Sequence, residues 1–144
     1  IVSCAVVVNA VGDVYDLDNG LTPIAGFCLP SGDFVSSEQM IRESANQLNE
    51  GTNTTIGVVA TNAKFDKAQL LKVSQMAHDG YALAIRPVHT SADGDSIFAL
   101  ATGEVDGDVN VVGTMAVEAM RRAIVNACLA AEDVHGLRSH KDLK

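Results

Sequence analysis

Gly51-Thr52-Asn53-Thr54-Thr55 leads directly into Ile56-Gly57-Val58-Val59-Ala60-Thr61, a β-branched run of strand length. The strand reading over 55–61 organises what lies on either side. Downstream, Asp66 can cap a helix reaching about residue 85, because Leu70, Val73, Ala77, Tyr81 and Ala84 recur at helical spacing and Pro87 closes the run. A polar loop, His89-Thr90-Ser91-Ala92-Asp93-Gly94-Asp95, then precedes a second strand over 96–102. Beyond an acidic turn at 104–108, a long helix is expected over about 112–131. Its stripe of Ala116, Met120, Ala123, Ile124, Ala127 and Ala131 permits close packing. Strand–helix–strand–helix order means a mixed α/β layer protein.

Upstream, Val2-Ser3-Cys4-Ala5-Val6-Val7-Val8-Asn9 is a nearly continuous apolar run, which predicts a central strand buried on both faces. A turn at 16–20 and a short strand near 23–27 follow. Residues 29–52 turn polar, with a short helix over 40–48 and the rest an exposed connection. The tail from Asp133 to Lys144 is expected to be loose. Because the sequence opens inside a strand, a piece of a longer polypeptide is expected.

The 144 residues suffice for one compact core, with 47% hydrophobic side chains, 4% aromatic and no Trp. A net charge of −8 and unclustered Lys and Arg argue against nucleic acid or an anionic membrane as partner. Cys4, Cys28 and Cys128 are odd in number and irregular in spacing, so they read as small apolar residues of a reducing, cytoplasmic compartment, not as bridges or metal ligands. No nucleotide-binding fingerprint or zinc pattern is present, and His78 and His89 read as isolated.

Three features can carry chemistry. The Thr54 hydroxyl can attack the carbonyl of Asn53, and hydrolysis of the ester would free Thr54 as a new N-terminus. Its α-amino group, with a pKa of about 7.7–8.0, would then serve as base on the same residue. Asn9, at a strand end, can donate to a developing oxyanion. Asp93-Gly94-Asp95 can orient an ammonium group, couple two carboxyl titrations or bind a hard cation. Each has a plain alternative: Asn53-Thr54-Thr55 as turn chemistry, Asn9 bonded to local backbone, and the Asp pair as a solvated turn.

The order of these motifs resembles a known family. Val7-Val8-Asn9-Ala10-Val11-Gly12-Asp13, then Asn53-Thr54-Thr55-Ile56-Gly57-Val58-Val59-Ala60-Thr61-Asn62-Ala63, then Ala77-His78-Asp79-Gly80, Ile85-Arg86-Pro87-Val88-His89-Thr90 and Asp93-Gly94-Asp95-Ser96-Ile97-Phe98 resemble the L-aminopeptidase/D-esterases and β-peptidyl aminopeptidases. Thr54 and the Asp pair look most like the endo-type 6-aminohexanoate oligomer hydrolase branch, since the aminopeptidases carry Ser, and a Ser/Glu pair, at those places.

The resemblance implies a four-layer α/β/β/α sandwich of the self-processing, N-terminal-nucleophile-like type. It divides the chain into residues 1–53, the end of an α subunit, and residues 54–144, a β subunit starting with the nucleophile. It gives Asn9 the oxyanion role and Asp93 and Asp95 support of Thr54. It also implies a linear amide or peptide substrate, αβ units assembled into a tetramer, and no metal or organic cofactor. The earlier part of α, with a catalytic Lys or equivalent, is the implied partner, and no activity is expected without it. Ornithine-acetyltransferase-like acyl transfer, aminopeptidase action on peptide amines and a purely structural fragment remain the other readings.

Overall fold

The computed structural model describes residues 1–43 and 53–142. Its larger sheet has three strands: β1 (Val2–Asn9), β4 (Thr54–Ala63) and β6 (Ser96–Val105), with β4 in the middle. β1 runs antiparallel to β4, pairing Val2 with Thr61 through to Asn9 with Thr54. β6 runs parallel to β4, with Ile56 opposite Ser96 and Ala60 opposite Leu100. A parallel pair needs a long crossover, and α2 (Lys67–Ala84) supplies it. α3 (Val109–Ala130) follows β6 and packs against α2 and β1. A small second sheet holds β2 (Asp13–Asp16) between β3 (Thr22–Ala25) and β5 (Ile85–Arg86). α1 (Ser37–Glu43) completes the described elements, apart from single 3-10 turns at Leu17–Asn19 and His140–Asp142.

Helix starts follow their caps. Asp66 accepts from the Gln69 N–H at 2.8 Å while Gln69 Oε1 accepts from the Asp66 N–H at 2.9 Å, a reciprocal box. Asp108 accepts from the N–H groups of Asn110 and Val111, so α3 begins three residues before the expected Val112. The acidic turn was therefore partly a cap. The expected helix over 40–48 begins earlier, because the Ser37 N–H and hydroxyl both donate to the fully buried Asp13. Its later half lies outside the described residues.

The helices cover one face of the large sheet. Thr55, Gly57, Val59, Thr61 and Ala63 of β4 point into that layer, where Val59, Val73, Ala77, Tyr81, Ala116, Met120 and Ile124 form the core. Helix α2 approaches α3 closely at Gly80, where an added Cβ would lie 2.6 Å from the Val117 carbonyl oxygen. Arg121, almost fully buried on α3, pairs with Glu118 and reaches Asp18 of the first 3-10 turn at 3.0 Å.

The opposite face corrects one expectation. β1 is an edge strand here, and it alternates between half-buried and exposed residues instead of being buried on both sides. Val7 (71% exposed), Ile56 (47%), Phe98 (64%) and Leu100 (48%) leave that face apolar and open. The continuous apolar run of β1 thus serves two faces, of which the described residues cover one. The tail also departs from expectation. The Ser139 N–H donates to Asp133, and His140 Nδ1 lies 3.2 Å from the Ile24 carbonyl, tying the tail to β3.

Gly80→Ala should lower the unfolding free energy by about 1–3 kcal/mol through overpacking at the helix crossing. Asp66→Ala should cost about 1 kcal/mol through loss of the cap. Urea midpoints of the two variants against the parent check both, and a neutral Gly80→Ala would contradict the crossing geometry.

Candidate active site

The three segments singled out in the sequence meet at one end of the large sheet. Asn9 is the last residue of β1 and Thr54 the first of β4, and the two are direct cross-strand partners. Side chains so opposed have Cβ atoms about 4.5–5.5 Å apart. Asn9 makes no side-chain hydrogen bond among the described residues, so its amide is not engaged with local backbone.

Asn53 is no part of a slack linker. It forms a parallel bridge with Asp93, its N–H donates to the Ala92 carbonyl at 3.2 Å, and its own carbonyl accepts from the Gly94 N–H at 2.8 Å. The β4–β6 ladder therefore extends one step beyond Thr54. The Thr54 hydroxyl donates to the same Asn53 carbonyl oxygen at 2.6 Å. Two donors, Gly94 N–H and Thr54 Oγ–H, thus converge on the oxygen of the 53–54 peptide bond. Gly94 must be glycine for this approach, since a Cβ there would stand 2.8 Å from Thr54 Oγ1.

The two carboxylates flanking Gly94 have separate structural partners. Asp93 Oδ1 accepts from the Val11 N–H at 3.2 Å, and Oδ2 accepts from the Thr90 N–H at 3.0 Å and hydroxyl at 2.6 Å. It joins the loop after β1 to the loop before β6. Asp95, with its side chain 3% exposed, accepts from the Thr55 N–H at 2.8 Å through Oδ1. Its Oδ2 lies 2.7 Å from His89 Nδ1, a close contact off the line of a good hydrogen bond. Tyr81 Oη donates toward the carbonyls of Thr55 and Ser96 from the helix side. Burial, then the nearby Asp95 charge, push its phenol well above the ordinary tyrosine range. It therefore serves as a neutral donor.

The imidazoles are not isolated. His78 Nδ1 lies 3.2 Å from His89 Nε2, with ring centroids 4.8 Å apart. Sequence spacing concealed this, because α2 must end and the chain must reverse before residue 89 returns to residue 78. Gly94 was visible only as a bend; its close approach to Thr54 depends on strand pairing that no local pattern encodes.

A cavity of about 520 Å³ opens beside Asn9 and is lined also by Val11, Gly26, Cys128 and Arg138. Among the described residues no group of three or more His, Cys, Asp or Glu side chains could hold a metal ion, so the Asp pair finds no further ligands. No described helix is long and apolar enough to cross a membrane. Cys4, Cys28 and Cys128 are free thiols, and burial raises those of Cys4 and Cys128 to about 11.

Residues 1–142 match peptidase family S58. The chain belongs to that family. An uncharacterized aminopeptidase of Mycobacterium leprae is 39% identical over 96% of the chain and 43% of its own length. One from Mycobacterium tuberculosis is 34% identical over 95% of the chain and 46% of its own length. The 6-aminohexanoate-oligomer endohydrolase of Paenarthrobacter ureafaciens is 32% identical over 48% of the chain and 19% of its own length. The resemblance read from the motifs thus holds on both sides, with the aminopeptidases matching over the greater length. The chain spans about half the length of the aminopeptidases it matches.

Asp93→Ala removes a charged acceptor from three donors, and each such bond contributes about 1.5–3 kcal/mol. Hydrogen exchange should accelerate at the Val11 and Thr90 amides and stay unchanged in the middle of α3. Unaltered protection at both amides would contradict the tie between the two loops.

Proposed function

We propose that this chain carries the nucleophile and supporting groups of a self-processing amide hydrolase. One observation carries the reading: the Thr54 hydroxyl and the Gly94 N–H both point at the Asn53 carbonyl oxygen. Attack of Thr54 Oγ on the Asn53 carbonyl carbon closes a five-membered ring and moves negative charge onto that oxygen, where Gly94 N–H already donates. Collapse breaks the C–N bond and leaves an ester. Water then cleaves the ester, releasing the Asn53 carboxylate and the Thr54 amine. The hydroxyl proton passes to a base in the remainder of the polypeptide, where the resemblance puts a Lys.

Once free, the Thr54 amine takes the proton from its own hydroxyl during attack on substrate. Asn9, directly across the strand, donates to the developing oxyanion. Asp95 holds the Thr55 N–H, Asp93 fixes the adjoining loops through Val11 and Thr90, and the two carboxylates balance the ammonium. The acyl-enzyme is then hydrolysed. The substrate is a linear amide bearing an amine, either a small peptide or a 6-aminohexanoate oligomer. The aminopeptidase relatives support the peptide reading over nearly the whole chain, whereas Thr54 and the paired aspartates support the oligomer reading.

The open face of Val7, Ile56, Phe98 and Leu100 is where the second sheet of a four-layer sandwich would lie, supplied by the earlier part of the α subunit. Full burial of such side chains stabilises by about 1.5–3 kcal/mol each. The αβ units would then assemble into a tetramer.

In the complete gene product, N-terminal sequencing should find a fragment beginning Thr54-Thr55-Ile56. Thr54→Ala should remain uncut and lose more than about a hundredfold of the amidase rate. Gly94→Ala should slow processing strongly while leaving the fold intact by circular dichroism. Hydrolysis of aminoacyl p-nitroanilides against 6-aminohexanoate oligomers separates the two substrate readings. An uncut parent with full amidase activity would remove Thr54 from its role.

A further inference from the structure

Asp95 connects the nucleophile segment to two imidazoles that the reaction above does not use. Its Oδ1 holds the Thr55 N–H, one residue from the nucleophile, and its Oδ2 faces His89 Nδ1. His89 Nε2 in turn faces His78 Nδ1 on α2 at 3.2 Å. Tyr81 completes the cluster, its ring centroid 5.9 Å from that of His89 and its hydroxyl on the Thr55 carbonyl. The Thr55 backbone is thus gripped at its N–H by Asp95 and at its C=O by Tyr81. His89 adopts a left-handed backbone, φ 58°, a conformation that costs a non-glycine residue free energy and persists where surrounding contacts enforce it.

We propose that His89, backed by His78, is a positioning residue for the Thr54 nucleophile, acting through Asp95, and that the imidazole pair sets the acid limit of activity. This rests on the role proposed for Thr54.

Proton counting gives the direction. Two ring nitrogens 3.2 Å apart need one donor and one acceptor. With His89 carrying its proton on Nδ1 toward Asp95, its Nε2 accepts from His78 Nδ1–H. With His89 doubly protonated, Nε2–H donates to a bare His78 Nδ1. Both states keep the chain of contacts intact. A proton on all four nitrogens sets N–H against N–H, drives the rings apart and loosens His89 from Asp95. Activity is therefore lost as pH falls through the step that charges both rings. The charged and titratable groups facing the pair are Asp95 from the loop before β6, and Tyr81 and Asp79 from α2. Burial, then the facing His89, hold the His78 imidazole below its ordinary value, while Asp95 and Asp79 pull it upward.

The test uses the complete gene product with isotope-labelled histidine. In the parent, the His78 resonance should titrate below the ordinary imidazole range, at the midpoint of the acid limb of processing and turnover. His89→Ala should cut kcat about ten- to a hundredfold with KM unchanged, as expected for a displaced nucleophile. It should also speed exchange of the Thr55 amide. His89→Asn keeps a donor toward Asp95 and tolerates the left-handed backbone, so it should restore most of the rate, and its acid limb should shift to lower pH. A His78 titration that does not coincide with the acid limb, or a His89→Ala protein with the parent's kcat, pH profile and Thr55 protection, would overturn the proposal. If the parent neither cuts itself nor hydrolyses amides, the proposed function falls. The ring titrations and Thr55 exchange then still decide whether His89 holds Asp95.

Discussion

The parallel ladder between β4 and β6 is the constraint on which the site depends, because it continues past the end of the regular strand to Asn53. That extra step is closed by two backbone bonds, Asn53 N–H to Ala92 and Gly94 N–H to Asn53. Parallel pairing brings the start of one strand beside the start of the next, so the loop entering β6 lies against the residue entering β4. From that register follow the position of Gly94 beside the Thr54 hydroxyl and of Asp95 beneath the Thr55 amide, while the antiparallel pairing of β1 with β4 puts Asn9 opposite Thr54. The crossover helix sets this register, since α2 has to span the sheet between the two strands.

Helix α2, strand β4 and strand β6 were legible in the sequence because each obeys a local rule. A cap, a 3.6-residue stripe or a β-branched run is written within a few neighbours. The pairing of Asn9 with Thr54 and the bonding of Asp93 to Val11 were not legible, since they join residues 45 or more positions apart through the sheet. Asp13 is a buried acceptor for the start of α1, a contact 24 positions away that no local pattern announces. His78 and His89 looked solitary although only 11 positions separate them, because α2 has to end and the chain reverse before the two rings meet. The residue types at the site were readable, whereas their contacts depended on topology.

β1 illustrates how a sound rule leads to a partial answer. An unbroken apolar run signals burial of both faces, and in β1 the described residues cover one of them. The outward side chains Val7, Ile56, Phe98 and Leu100 still carry the pattern of an interior. The described residues leave that apolar face open, in a chain that spans about half the length of its aminopeptidase relatives.

The eight cross-strand pairs between β1 and β4 have a consequence for what scission between Asn53 and Thr54 would do. The two resulting polypeptides would each own one strand of a shared ladder, and Arg121 of the second would still grasp Asp18 of the first. Breaking the covalent connection would therefore not part the halves. It would leave a zipped heterodimer whose fresh amino terminus is born already docked in its final seat.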